Sequence, residues 1–488
     1  MKSPRRSRTD RLARLWPALV VALLAGCGGD EQIARTGGSG TGVATTIGTV
    51  TGFGSVIVDG AGWDERNARI ETERNPAAGP VAAEVRLGQR VQIESSMPGS
   101  ADRIVIEPDV IGRVSEVSAA AVPPRFKVAG QTVLINADAA AGPVTLFDGA
   151  AGIGALQAGD AVEVHGSARF DATIGRYVFV ASRVERLASL PAGMVRVSGV
   201  VTSYSAADRR FVLGELSVSA VASTLVVPAN RALANGQRVV AWSDDPLGAG
   251  AAGPTLTADF IRIVERSTAG SEPSEIAGVV GRFDPNALTL EVDGVPVNAR
   301  ASRVVPASQS LADGRYVIAR GSFDAMGVLQ AAQVRIRTGN AADTEIRLDG
   351  TITDFVSVSD FRVRGVAVNA SGVNALAACP AAGLSNGLFV EIGGRIDPAQ
   401  GRVVAERLRC VASAVGRVVT IEGLAGDVSS AARSFTLAPS GGPVRTVGWT
   451  DLTYFDGVTP ATLAGRTLSV DGFGDGNSLT AIKIRLRP

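Results

Sequence analysis

Histidine is nearly absent from this chain: one residue in 488, His165, accompanied by three cysteines, four tyrosines and four tryptophans. That scarcity removes several chemistries. A zinc centre takes three or four His or Cys ligands, more than the chain supplies in one place. A Ser-His-Asp relay has only His165 to draw on, and no G-x-S-x-G elbow accompanies it. Aromatic residues make up 5% of the chain, a poor supply of platforms for stacking bases. Charge of either sign is not in excess, with 48 Lys+Arg against 47 Asp+Glu; the electrostatic signature of a nucleic-acid binder is missing. No segment after residue 27 approaches the roughly 18 consecutive apolar residues of a membrane-spanning helix. No motif calls for a cofactor.

Glycine, by contrast, is plentiful at 58 residues, and hydrophobic residues reach 45%. Val-rich and Gly-rich composition points to β-structure with many tight turns. Length alone suggests about three or four domains.

The N-terminus reads as a targeting segment. "MKSPRRSRTDRLAR" carries Lys2, Arg5, Arg6, Arg8, Arg11 and Arg14, and "LWPALVVALLAG" follows and ends at Cys27. This is a positive n-region and a short h-region. The apolar run, about 12 residues, is too short to span a bilayer. Leu24-Ala25-Gly26-Cys27 resembles the bacterial lipobox. The resemblance implies a signal peptide over 1–26, lipid on Cys27, and, with Gly28 next, outer-membrane attachment facing the periplasm or the surface. An ordinary signal peptide with a chance cysteine is the alternative. Residues 27–45 read as the lipidated cysteine and a flexible tether. In such an oxidising compartment Cys379 and Cys410 are expected to form a disulfide, with two separately buried thiols as the alternative.

The rest of the chain repeats. "LGQRVQIESS" (87–96), "LQAGDAVEVHGS" (156–167), "LANGQRVVAWS" (233–243), "LADGRYVIARGS" (311–322), "LSNGLFVEIGGR" (384–395) and "LAGRTLSVDGFG" (463–474) share a Leu, a Gly turn and an alternating strand. Period-two alternation marks a half-buried strand. A cationic alternating strand closes each unit, as in "LQAAQVRIRT" and "LTAIKIRLRP". A strand such as "IAGVVGRFD" opens each unit, and a hairpin partner such as "LTLEVDGVPV" follows it. This predicts about six units of roughly 65 to 80 residues: 46–108, 109–190, 194–268, 274–338, 344–412 and 413–488. A unit this small buries only about 60% of its unfolded surface. Five short strands per unit are expected to close into a small barrel, which removes exposed edges. A sandwich is the second choice, and a propeller is disfavoured because the unit is long for a blade. Between the third and fourth strands lie variable stretches read as loops or a short helix.

The order "G-x-[VI]-x-x-F", "V-x-V-D-G", "L-x-x-G-x-x-V-x-[VI]" and an alternating final strand resembles the repeats of bacterial envelope proteins grouped as domain of unknown function 5666. The first and fourth units match best and the sixth least. The resemblance implies barrels of the oligonucleotide/oligosaccharide-binding (OB) type. It implies no activity and carries over no catalytic residue.

Candidate sites are few. His165 falls on the polar face of its strand and reads as a surface residue. Asp and Glu fall in turns or on exposed strand faces, Asp284 and Asp397 beside turn prolines among them. Asp471, Asp475 and Asn477 in "DGFGDGNS" faintly resemble a calcium loop, with a plain turn as the stronger reading. Arg335, Arg337, Arg407, Arg409, Arg485 and Arg487 line the closing strands. They offer rows of charge to an anionic glycan or protein, or else protect an edge from pairing. The expected function is a non-enzymatic, lipid-anchored envelope scaffold, adhesin or binding protein for protein or glycan. The alternative is a carbohydrate-active or polysaccharide-processing protein using paired carboxylates. Nucleic acid is not an expected partner.

Overall fold

The computed structural model describes residues 44–487 apart from 66–67, 76–78, 191–192, 265–272, 375, 377, 412–418, 440–441, 451–452 and 474–477. Cys27, the signal segment and most of the tether lie outside the described residues, as do Asp475 and Asn477. Ala44 and Thr45, read from sequence as tether, are instead strand. They pair with Ser95 and Glu94, which satisfies their backbone groups inside the first sheet.

Repeat 4 gives the pattern. Its opening strand Ser274–Asp284 pairs antiparallel with Thr289–Val292, which pairs antiparallel with Val295–Asn298. That third strand runs parallel to the closing strand Leu329–Ile336. The closing strand pairs with Tyr316–Phe323, and Tyr316–Phe323 returns to the opening strand. The strand order 1-2-3-5-4-1 closes a five-stranded barrel of OB type. Leu290, Val292, Val295 and Val297 point inward beside Ile276, Val280, Val317, Leu329 and Val334. Burying each such side chain stabilises the fold by about 1.5–3 kcal/mol. The alternation read from sequence is thus the alternation between barrel interior and exterior.

Repeats 2, 5 and 6 close in the same order. Repeat 1 joins its third and fifth strands through the parallel Asp64↔Ser100 bridge. In repeat 3 the opening strand is split into Val195–Val200 and Thr202–Ser205, and the closing strand into Gly253–Thr257 and Phe260–Ile263. The stretches before the fourth strand are not simply loop or helix. Arg69–Thr72, Leu146–Asp148, Leu225–Val227, Arg303–Val305 and Tyr454–Asp456 each run parallel to a closing strand. The closing strand outlasts its third-strand partner, and this short strand takes the remaining backbone groups. The described helix is Ala341–Thr344 with two single 3₁₀ turns.

The second-to-third strand turns carry two consecutive left-handed residues: Asp59-Gly60, Ala129-Gly130, Asp293-Gly294 and Arg364-Gly365. That is the type I′ geometry that matches strand twist. The turn residue lies over a glycine of the opening strand. A Cβ at Gly48 would collide with the Asp59 carboxylate.

Opening strands also join one repeat to another. Repeat 1 pairs in parallel with repeat 4, Thr46↔Glu275 and Ile47↔Ile276, and meets repeat 5 at Gly52↔Arg347. Repeats 2 and 3 pair antiparallel at Val110↔Val197 and Ile111↔Arg196. Cys379 and Cys410 form a disulfide spanning 31 positions, tying a loop of repeat 5 to its closing strand.

Candidate functional site

The densest chemistry in the described residues is a buried polar junction where repeats 1 to 4 meet. It begins with two type I′ turns. Asp59 of repeat 1 sits at 6% exposure and Asp293 of repeat 4 at 1%. Their partners come from equivalent places, two residues past the Gly of the turn before the fourth strand: Arg90, after Gly88, in repeat 1 and Tyr316, after Gly314, in repeat 4. The repeats exchange them. Arg90 donates from Nη2 to Asp293 Oδ2 at 2.8 Å and to the Ala277 carbonyl at 2.6 Å. Tyr316 donates its hydroxyl to Asp59 Oδ1 at 2.8 Å, while the Thr49 N–H donates to Asp59 Oδ2 at 2.8 Å.

Repeats 2 and 3 complete the junction. The N–H of Ala168 donates to Asp293 Oδ1 at 2.8 Å. Arg238 of repeat 3, at the same position past its Gly as Arg90, bridges Asp293 Oδ1 at 3.1 Å and Asp109 Oδ1 at 3.0 Å. Asp109 also accepts from Gly166 N–H and the Ser198 hydroxyl, each at 2.9 Å. The Arg90 N–H donates to His165 Nδ1 at 3.3 Å, which leaves the proton on Nε2, facing Glu163 Oε1 at 3.0 Å. Glu163 is held on its other oxygen by Arg74 at 2.6 Å.

Burial sets the electrostatics. It pushes the Asp59 carboxyl up from the usual range, against the Thr49 and Tyr316 hydrogen bonds and the charges of Arg90 and Arg337. It pushes Asp109 up as well, with Arg238 opposing. Burial also acts to raise Glu163, but His165 and Arg74 outweigh it and bring the carboxyl down to about 2. Desolvation works against the Arg90 charge, and Asp293 holds it protonated.

From the sequence alone, His165 and the carboxylates fall on exposed faces or in turns. His165 and Glu163 are instead 0% exposed. Their strand, Ala161–Asp171, is buried on both faces along most of its length. The outward face of one barrel is here the inward face of an inter-repeat contact. Asp284 and Asp397 do serve turns, accepting from Asn286 and Ala399 N–H at 2.8 and 2.9 Å. The recurrence of "VDG" in units 1 and 4 and of "GQR" in units 1 and 3 is the signal that points to the junction.

The closing-strand arginines do not form free cationic rows, because each has a partner. Arg335 pairs with Asp343 at 2.7 Å and donates to the Asp59 carbonyl at 3.0 Å. Arg337 is buried, donates to the Ala139 carbonyl at 2.7 Å and lies 5.9 Å from the Tyr316 ring centre. Arg407 and Arg409 meet Glu345 and Glu391. Arg485 meets Asp456 at 3.3 Å, and Arg487 meets Glu422. Asp471 accepts from the Thr420 hydroxyl at 2.7 Å. Among the described residues no three His, Cys, Asp or Glu side chains are grouped to hold a metal ion, and no helix is long and apolar enough to cross a membrane.

Clefts open between the repeats. One, of about 230 Å³, is lined by Leu87, Val144, Arg337 and Arg395. The other, of about 420 Å³ between repeats 2 and 5, is lined by Phe147, Asp148, Arg183, Arg362 and Gln400.

Residues 111–185 and 349–409 match the family described as "Domain of unknown function (DUF5666)"; these stretches fall in repeats 2 and 5. No curated protein matches the chain. Among solved structures, one described as "drosophila Unr CSD456" is similar at 13% identity and a TM-score of 0.13, over 43% of this chain and 96% of that one.

Proposed function

We propose that this DUF5666-like repeat protein is a non-enzymatic scaffold of the bacterial envelope, anchored by lipid on Cys27 in the outer membrane and presenting its barrels to an envelope protein or an anionic glycan. The observation that carries the reading is the reciprocal exchange of Arg90–Asp293 and Tyr316–Asp59 between repeats 1 and 4. Buried charges of this kind are stabilised only when each has its partner. Here the ionisable groups are engaged in holding one barrel against the next. A chain of loosely tethered beads has no use for such a junction; a spacer of defined shape does. The basic, then apolar, leader ending in Leu24-Ala25-Gly26-Cys27 supports the anchor.

The test is fractionation of the native host with wild-type and Cys27→Ala chains, followed by pull-down and a glycan array. The reading expects wild type in the outer-membrane fraction, Cys27→Ala in the soluble fraction, and a retained protein or acidic glycan. Membrane retention of Cys27→Ala contradicts the anchor. Depolymerisation of a polysaccharide by the purified chain contradicts the non-enzymatic reading and favours the carboxylate-dependent alternative.

A further inference from the structure

The opening strand of a repeat has an edge that its own barrel leaves open along its first half, because the hairpin partner starts pairing only at or past the middle. In repeat 4 that pairing starts at Val280↔Val292. Alternation fixes which backbone groups face the edge. Val280 donates its N–H to Arg315 and accepts from Gly314. Residues 274, 276 and 278 therefore turn their backbone groups to the fourth strand, and 275, 277 and 279 turn theirs outward. Val50, Val114, Val201, Ile352 and Ala425 occupy the place of Val280 in the other repeats, with the same pair of bonds to their own fourth-strand turns.

In five repeats other repeats meet this edge. Thr46 and Ile47 pair with Glu275 and Ile276. The Ala277 carbonyl accepts from Arg90 at 2.6 Å, and the Val279 N–H donates to Ser167 at 2.9 Å. The Ser198 N–H donates to the Asp109 carbonyl at 2.7 Å, and the Phe53 N–H to the Arg347 carbonyl at 2.8 Å. Repeat 6 differs. Its opening strand Val419–Ser429 pairs with Thr467–Phe473 and, from Leu424 onward, with Ser434–Ala438. The outward N–H and C=O groups of Thr420 and Glu422 have no backbone partner among the described residues.

We infer that this edge pairs with the same edge of a second copy of the chain, making a two-fold homodimer through repeat 6. The pattern for it lies within the molecule. Repeats 2 and 3 pair antiparallel and symmetrically about Val110↔Val197, each four residues before its reference valine. The matching residue in repeat 6 is Ile421. A second copy paired about Ile421 brings Thr420 opposite Glu422 of the other chain, and Glu422 opposite its Thr420. This closes four backbone hydrogen bonds with the same patch on both sides, as an isologous contact requires. No like charges face each other, and Glu422 keeps Arg487 as its counter-ion. Leu424 flanks the seam at 53% exposure; its counterparts Thr49, Val200, Val279 and Thr351 are only 2–7% exposed, while Arg113 of repeat 2 is exposed like Leu424.

The register makes the test specific. Full chains carrying Thr420→Cys or Glu422→Cys are expressed singly and together in a bacterial envelope, oxidised mildly and run without reductant. Strong cross-linked dimer is expected only in the mixture, several-fold above either chain alone. No dimer, or equal dimer in all three, overturns the pairing. Sedimentation of the full chain in detergent gives a second readout. Wild type is expected to dimerise with concentration. Glu422→Pro removes an N–H that the barrel does not use, and is expected to raise the dimer dissociation constant at least about tenfold. A wild-type monomer at every concentration overturns the inference. Neither readout depends on lipid at Cys27.

Discussion

The hydroxyl of Tyr316 donates to the carboxylate of Asp59 at 2.8 Å, across 257 positions of chain. Both residues are buried, and they belong to different barrels. The return contact, Arg90 to Asp293, spans 203 positions. Two barrels that each close on themselves are thereby committed to a single relative placement.

Replacing Tyr316 by Phe keeps the ring and removes the donor. The buried Asp59 carboxylate then loses one of its two short hydrogen bonds, a penalty of about 1–3 kcal/mol. Chemical denaturation of Tyr316→Phe beside wild type measures it. An unchanged midpoint would mean that the hydroxyl does not support the carboxylate.

Arg90→Met leaves Asp293 with Arg238 as its remaining counter-charge in a dry site. Breaking a buried pair from one side costs about 3 kcal/mol or more. Adding Asp293→Leu removes the stranded charge and is expected to recover part of the loss. A double-mutant cycle reports the coupling, and strict additivity of the two changes argues against a direct pair.

Glu163 ties stability to pH. Its carboxyl is lowered to about 2 in the fold from an ordinary value of 4.5. Its contribution is therefore fully present above 4.5 and is lost as pH falls toward 2. The shift corresponds to roughly 3 kcal/mol. Asp59 and Asp109 act in the opposite sense. Burial raises both, so taking up a proton as pH falls favours the folded state. The measurement is the stability difference between wild type and Glu163→Gln across this window, which is expected to shrink toward pH 2. A difference constant with pH contradicts the assignment.

The Cys379–Cys410 bridge closes a loop of 31 positions. In the chain-entropy view, removing it with Cys379→Ala and Cys410→Ala costs roughly 3–4 kcal/mol, concentrated in repeat 5. Neither cysteine is expected to react with a thiol probe in the native protein; labelling of both contradicts the bridge.

The barrels were legible because the alternation of Val317 and Ala319 with Ile318 and Arg320, or of Leu290 and Val292 with Glu291, is set by a local rule. A strand with one face in a core must repeat every two residues. The Asp-Gly turns were legible for the same local reason. The junction was not. A charged residue on the outer face of one barrel looks solvated until another barrel covers it; His165 and Glu163 of repeat 2 are met by Arg90 and Arg74 of repeat 1, and Arg90 by Asp293 of repeat 4. The same effect spoils the reading of Arg335 and Arg337 as free charge. Arg335 and Arg337 reach into neighbouring repeats, whereas Arg409 finds Glu391 directly opposite on the adjacent strand of its own barrel and Arg487 reaches Glu422 across the intervening strand Thr467–Phe473.

Hydrogen exchange of the intact protein, wild type against Arg90→Met, tests most directly whether the repeats form one body. If the junction couples them, faster exchange appears in repeat 1 and also in repeat 4, along Ser274–Asp284 and Tyr316–Phe323. Faster exchange confined to residues 44–108, with repeat 4 unchanged, would contradict the coupling and leave the barrels as independent beads.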